Sequence, residues 1–297
     1  MPSVRQQQTL AGTSAVEGFG YWTGRDVRVE FRPAPADSGI TFVRSDLGAS
    51  ARIPATVAYR INAERRTTLS HRGVTIEMIE HVMAALAGLH VDNCEVWLDA
   101  PELPGCDGSA QAYVDALDRA GMVSQDVPRR RIVVERSVRL GNDDCWIEIQ
   151  PSRSGGMSVE FTVDYGPGTA IGKQSITLAI CPEAFRREIA GSRTFLLEEE
   201  ARWLVSRGLG QRVTAGDLLI FGPRGPIDNE LRFADECVRH KVLDVVGDLA
   251  LAGCDVAAHI VAYRSGHELN GQVARWLVAN DLPKSRSISK HPERQCA

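Results

Sequence analysis

No run in this chain is apolar for the ~20 residues that a bilayer crossing needs. The opening segment, MPSVRQQQTLAGTSAVEGFG, lacks the apolar core of a secretory signal. Cysteine is sparse and shows no pairing pattern. There are seven, an odd number with no CxxC spacing, which suits free thiols in a reducing compartment. A cytoplasmic protein without stable membrane insertion is therefore expected, although a substrate's acyl chain would need only a groove. Basic charge is not in excess either. The formal net charge of −4 argues against nucleic-acid binding, and Arg129, Arg130 and Arg131 read as part of a linker. GxxxxGK[ST], GxGxxG after a strand, HExxH and GxSxG are all missing. Nucleotide hydrolysis, dinucleotide redox chemistry and serine hydrolysis thereby lose their usual signals.

What is present reads as two halves on one plan. A length of 297 residues suits one large domain or two ordinary ones, and a 43% hydrophobic fraction can fill a core. RDVRVEFRPA alternates Val27, Val29 and Phe31 as a half-buried strand does, and more strand-like text runs to about Leu69. VTIEMIEHVMAALAGL then repeats Ile79, Val82, Met83 and Leu86 at helical spacing, with Gly88 near its end. NCEVWLDA is a strand, and SAQAYVDALDRAG a helix with Ser109 as its cap. The second half repeats the order. RIVVERSV, CWIEIQP, MSVEFTVDY and KQSITLAI read as strands, followed by a helical segment near LLEEEARWLVSRG. Next come the helix DECVRHKVLDVVGDL, the strand DVAAHIVAY and the helix HELNGQVARWLVAND. EHVMAALAGL and RHKVLDVVGDL align so that His81 meets His240 and Gly88 meets Gly247. The expected fold is α+β, with two similar domains that each pack a mostly antiparallel sheet against helices. Residues 1–126 and 127–280 form the two domains, joined near SQDVPRRR, and 281–297 form a loose polar tail.

The chemistry centres on three of the seven histidines. His240 and Asp244 lie one turn apart, which places two donors over one spot; a lone HxxxD is also common on solvated helix faces. His81 occupies the equivalent helix of the other half. If the helices meet across a cleft, the three side chains supply three metal ligands and leave a fourth position open, as in catalytic zinc sites. Such a site needs a base for water, and spacing leaves Glu80 and Glu77 as rivals. An amide substrate needs an acid for its leaving amine. His267, at a helix start, can serve if a carboxylate offsets the unfavourable dipole, and Asp248 is the candidate. Thr194 either caps a helix or helps hold an oxyanion. Phe195 either lines a lipid groove or belongs to the core.

RPAPADSGITFVRSDL, EHVMAALAGLHVDN, APELPGCDGSAQAYV, SRTF, SRGLG, RFADECVRHKVLDVVGDL and YRSGHELN, in this order, resemble the blocks of the UDP-3-O-acyl-N-acetylglucosamine deacetylase family from about Gln7 to Leu277. The resemblance implies two βααβ-type domains with the site between them and a zinc amidase of lipid A synthesis, ferrous iron being the alternative metal. It places His81, His240 and Asp244 at the metal, Glu80 as base and His267 as acid, with Asp248 its charged neighbour. Thr194 falls at the oxyanion, Lys241 near the substrate's polar head and Phe195 beside the acyl chain. The implied partner is an acylated UDP-amino sugar, and a monomer is expected. Four segments depart from the pattern: GYWTG, where Trp22 replaces a histidine, then EMIEH, QRVTAGD and the short GPIDNELRF. Two rivals follow: a related zinc deacetylase for a different acylated nucleotide sugar, and a paralogue that binds an acylated ligand without catalysis.

Overall fold

The computed structural model describes residues 4–281. The polar tail expected beyond residue 281 lies outside them. The two halves have the same sheet. In the first, Ser14–Phe19, Asp26–Pro33, Cys94–Leu98, Ile40–Arg44 and Arg52–Pro54 lie side by side in that order. In the second, the order is Val138–Gly141, Trp146–Pro151, Asp255–Tyr263, Ser158–Asp164 and Lys173–Ala179. In both sheets the middle strand is the last in sequence. It runs antiparallel to one neighbour and parallel to the other, and the outer pairings are antiparallel. A short strand, Arg131–Val133, adds a parallel pairing to Asp255–Tyr263. This is the expected α+β duplication.

The helices fill the space between the sheets. Gln111–Ala120 packs on Ser14–Phe19, and Glu236–Leu249 on Ser158–Asp164 and Lys173–Ala179. Val238, Val242, Val245 and Leu249 form the expected apolar stripe, and all are buried. Glu236–Leu249 also lies directly against Glu80–Gly88 of the first half, and His267–Asp281 against its other flank. The two central helices meet at Gly247, where a Cβ would stand 2.1 Å from the Glu80 carbonyl oxygen. Gly247→Ala is expected to cost about 1–3 kcal/mol through overpacking, read as a lower denaturation midpoint.

The joining segment is itself a strand. Met122–Pro128 pairs antiparallel with Gln6–Leu10 and runs through the expected division at residues 126 and 127. The arginines beside it are engaged: Arg5 and Arg129 both meet Asp92 and Asp255, and Arg130 meets Asp281. RIVVERSV, expected as one strand, splits into Arg131–Val133 and the start of Val138–Gly141, and a second element departs more sharply from the sequence reading. Val74–Glu77, expected as the start of a helix, is a strand that pairs with Thr68–His71. Arg72 and Gly73 make the turn with positive φ, and Met78 (φ 59°) breaks the chain before the helix begins at Glu80. The β-branched Val74, Thr75 and Ile76 favour the hairpin over the helix that their apolar spacing suggested. Each half carries such an insert beside the central helices. The second comprises Phe195–Leu197, Leu219–Gly222 and Gly225–Pro226, with the helix Glu198–Ser206. No described helix is long and apolar enough to cross a membrane.

Candidate metal centre and its acid and base

Packing of Glu80–Gly88 against Glu236–Leu249 brings His81 to His240, with ring centroids 5.1 Å apart and planes perpendicular. One turn beyond His240, Asp244 Oδ1 lies 3.5 Å from His240 Nε2. One donor atom from each of the three lies within 4.8 Å of the others, and all three residues are buried. Their protonation states suit a cation. Burial, then His240, holds the His81 imidazole neutral, with a pKa down to about 3. Burial likewise lowers His240. Burial opposes the charge of Asp244, but Lys241 foremost, together with the charged His267, outweighs it and keeps the carboxylate ionised. Lys241 Nζ donates to Asp244 Oδ2 at 2.8 Å, while Oδ1 is buried without a hydrogen-bond partner. An ionised oxygen orphaned in this way, facing two neutral imidazoles, is the donor set that a borderline divalent cation takes.

The loop Ser192–Thr194 holds this centre from the side. The Ser192 carbonyl accepts His240 Nδ1–H at 3.1 Å, which leaves Nε2 free to ligate. Arg193 forms a buried pair with Glu236 at 2.7 Å, at the start of the helix that carries His240 and Asp244. Thr194 Oγ1 lies 3.2 Å from His240 Nε2 and 3.0 Å from the Gly108 carbonyl. Gly108 has φ +79°, and a Cβ there would meet the Asp217 carbonyl at 2.8 Å, so only glycine fits this approach.

Base and acid candidates flank the centre. Glu80 is buried, and its Oε2 accepts the Thr67 N–H at 2.9 Å. Burial raises its pKa to about 7 against the opposing pull of His267. Glu77, the rival, points away: it pairs with Arg66 at 2.7 Å and does not line the cavity. His267 opens the helix His267–Asp281, and its Nδ1 meets Asp248 Oδ2 at 2.9 Å. Burial disfavours the imidazolium, but Asp248, Asp244 and Glu80 together outweigh it and raise the pKa to about 9. Asp248 is fully buried and also accepts from Asn270 at 2.9 Å and from the Thr67 hydroxyl at 2.5 Å. The buried Arg60 guanidinium crosses from the first half to the His267 carbonyl at 2.8 Å and to Glu268 at 2.9 Å. It lies against Gly271, where a Cβ would stand 2.5 Å from the guanidinium and displace it.

The candidate ligands, Glu80 and His267 open on one cavity of about 770 Å³, in the range of small-molecule sites. Glu80, His81, His240, Asp244, His267 and Lys241 line it together with the apolar side chains of both inserts, among them Leu204, Leu209 and Ile220. Phe195 is nearly buried, 6.2 Å from His240 ring to ring, with Lys241 Nζ 5.6 Å from its centroid. Three of the four departures from the family pattern reach the cavity, through Trp22, Met78 and Val213. The fourth supplies Asn229, which accepts from Arg193.

Residues 7–279 match the family model described as UDP-3-O-acyl N-acetylglycosamine deacetylase. The chain belongs to this family. Curated relatives named UDP-3-O-acyl-N-acetylglucosamine deacetylase agree over nearly the full length. That of Myxococcus xanthus is 35% identical, covering 94% of this chain and 88% of its own. That of Thermosynechococcus vestitus is 36% identical (91% and 93%), and that of Mannheimia succiniciproducens 36% (93% and 90%). The deacetylase family is one of metalloenzymes, and the cluster of His81, His240 and Asp244 could bind a metal.

Sequence reasoning had not marked Thr67, Ser192, Gly108, Arg60 or the Arg193–Glu236 pair. Apart from the Thr67 N–H to Glu80, 13 positions on, their roles arise from contacts between segments 43 to 208 positions apart, as with Arg193 to Glu236 and Arg60 to Glu268. No local spacing encodes such contacts.

Proposed function

We propose that the protein is a metal-dependent amide hydrolase that removes the acetyl group of UDP-3-O-acyl-N-acetylglucosamine, giving acetate and a free amine in lipid A biosynthesis. The supporting observation is the convergence of His81, His240 and Asp244 on one point of a cavity that Glu80 and His267 also line, with Asp248 buried behind His267. Zinc is the proposed ion, and ferrous iron suits the same donors. A divalent cation there would supply Lewis acidity, lowering the pKa of water and polarising the acetamide carbonyl.

The chain's own groups do the rest. Glu80 has one oxygen fixed by Thr67, which leaves the other to take a proton from the attacking water. A pKa near neutrality suits a group that must accept and release a proton in each turnover. His267 has Nδ1 fixed by Asp248, so Nε2 is the nitrogen that hands a proton to the departing amine. The Thr194 hydroxyl can turn from the Gly108 carbonyl toward a developing oxyanion. Lys241 adds positive charge near the substrate's polar head, and Phe195 with its apolar neighbours flanks the acyl chain. The six described cysteines are unpaired, which fits the proposed cytoplasmic location. A monomer is proposed, to be read by size-exclusion chromatography with light scattering.

The test is incubation of the metal-loaded protein with the acylated UDP-sugar, following acetate and primary amine. Stoichiometric release of both is expected. Binding without release would indicate the non-catalytic paralogue. Because Trp22, Met78 and Val213 line the cavity, a panel of acyl lengths and sugars is part of the assay. Turnover confined to a different acylated nucleotide sugar would favour the related-deacetylase reading.

A further inference from the structure

Thr67 stands just before the strand Thr68–His71 and is 1% exposed. Each of its polar groups is engaged. The N–H donates to Glu80 Oε2 at 2.9 Å, the carbonyl accepts the Ile79 N–H at 3.3 Å, and the hydroxyl donates to Asp248 Oδ1 at 2.5 Å. Glu80 belongs to the first half and Asp248 to the second. Among the described residues, Thr67 alone hydrogen-bonds to both side chains. Asp248 Oδ2 is already taken by His267 and Asn270, so the Thr67 hydroxyl is the donor that fixes Oδ1 and thereby the carboxylate plane. Thr67 does not line the cavity.

We infer that Thr67 is a positioning residue that ties the proton-accepting carboxylate of Glu80 to the His267–Asp248 pair, holding both on one residue across the junction of the two halves. The inference rests on the deacetylase reading above. Acid and base must address opposite sides of one scissile bond, and small misplacements of either are costly. A shared anchor keeps their separation constant. Without the hydroxyl, Asp248 Oδ1 is a buried charged acceptor with no donor. The carboxylate then turns toward its remaining partners and carries the His267 ring with it.

The test compares Thr67→Val, which keeps the N–H and the shape but not the hydroxyl, with Thr67→Ser, which keeps both donors. If the valine variant does not fold, Thr67→Ala takes its place with the same expectation. Thr67→Val is expected to hold its metal and to keep KM within about 3-fold, while kcat on the acylated UDP-sugar falls roughly 10- to 100-fold. Thr67→Ser should restore kcat to within a few-fold. The imidazole resonances of ¹⁵N-histidine-labelled protein give a readout independent of turnover. The His267 Nδ1–H signal should shift in Thr67→Val and return in Thr67→Ser. An unchanged kcat in Thr67→Val, loss of metal, a change in KM alone, or a serine variant as impaired as the valine variant would each overturn the inference. If the unmodified protein releases no amine, the deacetylase reading fails. The imidazole signal then decides the coupling alone, and an unmoved resonance refutes it.

Discussion

Glu80→Gln should retain its full complement of metal and lose about two to four orders of magnitude in kcat. The side chain stands beside the three candidate metal ligands without being one of them. Its Oε2 is occupied by Thr67, so a carboxamide can keep the packing and the hydrogen bond. The lost property is proton acceptance. Buried at the start of its helix, this carboxyl has a pKa of about 7, where its proton affinity matches the work required near neutral pH. Glu77→Gln is the control. That carboxylate pairs with Arg66 away from the cavity, and its loss should leave turnover within a few-fold. Metal analysis alongside steady-state kinetics on both variants reads the outcome. An active Glu80→Gln with an inactive Glu77→Gln would reverse the assignment.

Asp248→Asn should move the alkaline limb of kcat/KM downward. His267 is buried, which opposes its charge, yet Asp248 foremost and then Asp244 and Glu80 hold its pKa at about 9. His267 is therefore protonated through neutral pH, and with it as the proposed acid the rate should fall as pH rises through about 9. Neutralising Asp248 leaves burial less opposed, and the pKa drops toward or below the ordinary imidazole value of about 6.5. At pH 8 the charged fraction then falls from about nine-tenths to a few hundredths, a loss of roughly 30-fold that shrinks as the pH is lowered. The same linkage acts on stability. A folded-state pKa above the unfolded one stabilises fully below about pH 6.5, and that contribution vanishes as pH rises through about 9. Its size is on the order of 3 kcal/mol, so the variant should lose more stability at pH 6 than at pH 10. Denaturant titrations at the two pH values check this, and an alkaline limb unmoved in Asp248→Asn would remove His267 as the acid.

Much of the site was legible in the sequence because part of it is periodic. His240 and Asp244 share a helix face at one-turn spacing, and Asp248 continues the row toward His267. His81 was reachable through the internal alignment, which the matching strand orders of the two sheets now explain, as well as through the family resemblance. Charged residues on a helix face ordinarily read as solvated. Here His240, Asp244 and Asp248 are buried, because the face that carries them meets the other half rather than water. What pattern could not reveal is the support. The Thr67 hydroxyl and the Arg60 guanidinium act on residues more than 180 positions away, and the Ser192 contribution is a backbone carbonyl that any residue type could provide. Hydrophobic period misread Val74–Glu77 for a related reason. Three β-branched residues in a row fit either a buried helix or a strand, and the turn at Arg72 and Gly73 with a partner at Thr68–His71 decides between them.

One titration addresses the centre itself. Protein stripped by chelation should be inactive, and returning zinc should restore amine release linearly, with a break at one equivalent. The same titration on His81→Ala and on His240→Ala should show neither the break nor the recovery, because each half then lacks its contribution to the shared ion. Full turnover by the stripped protein, or tight stoichiometric binding retained in either alanine variant, would contradict a single cation held jointly by the two halves.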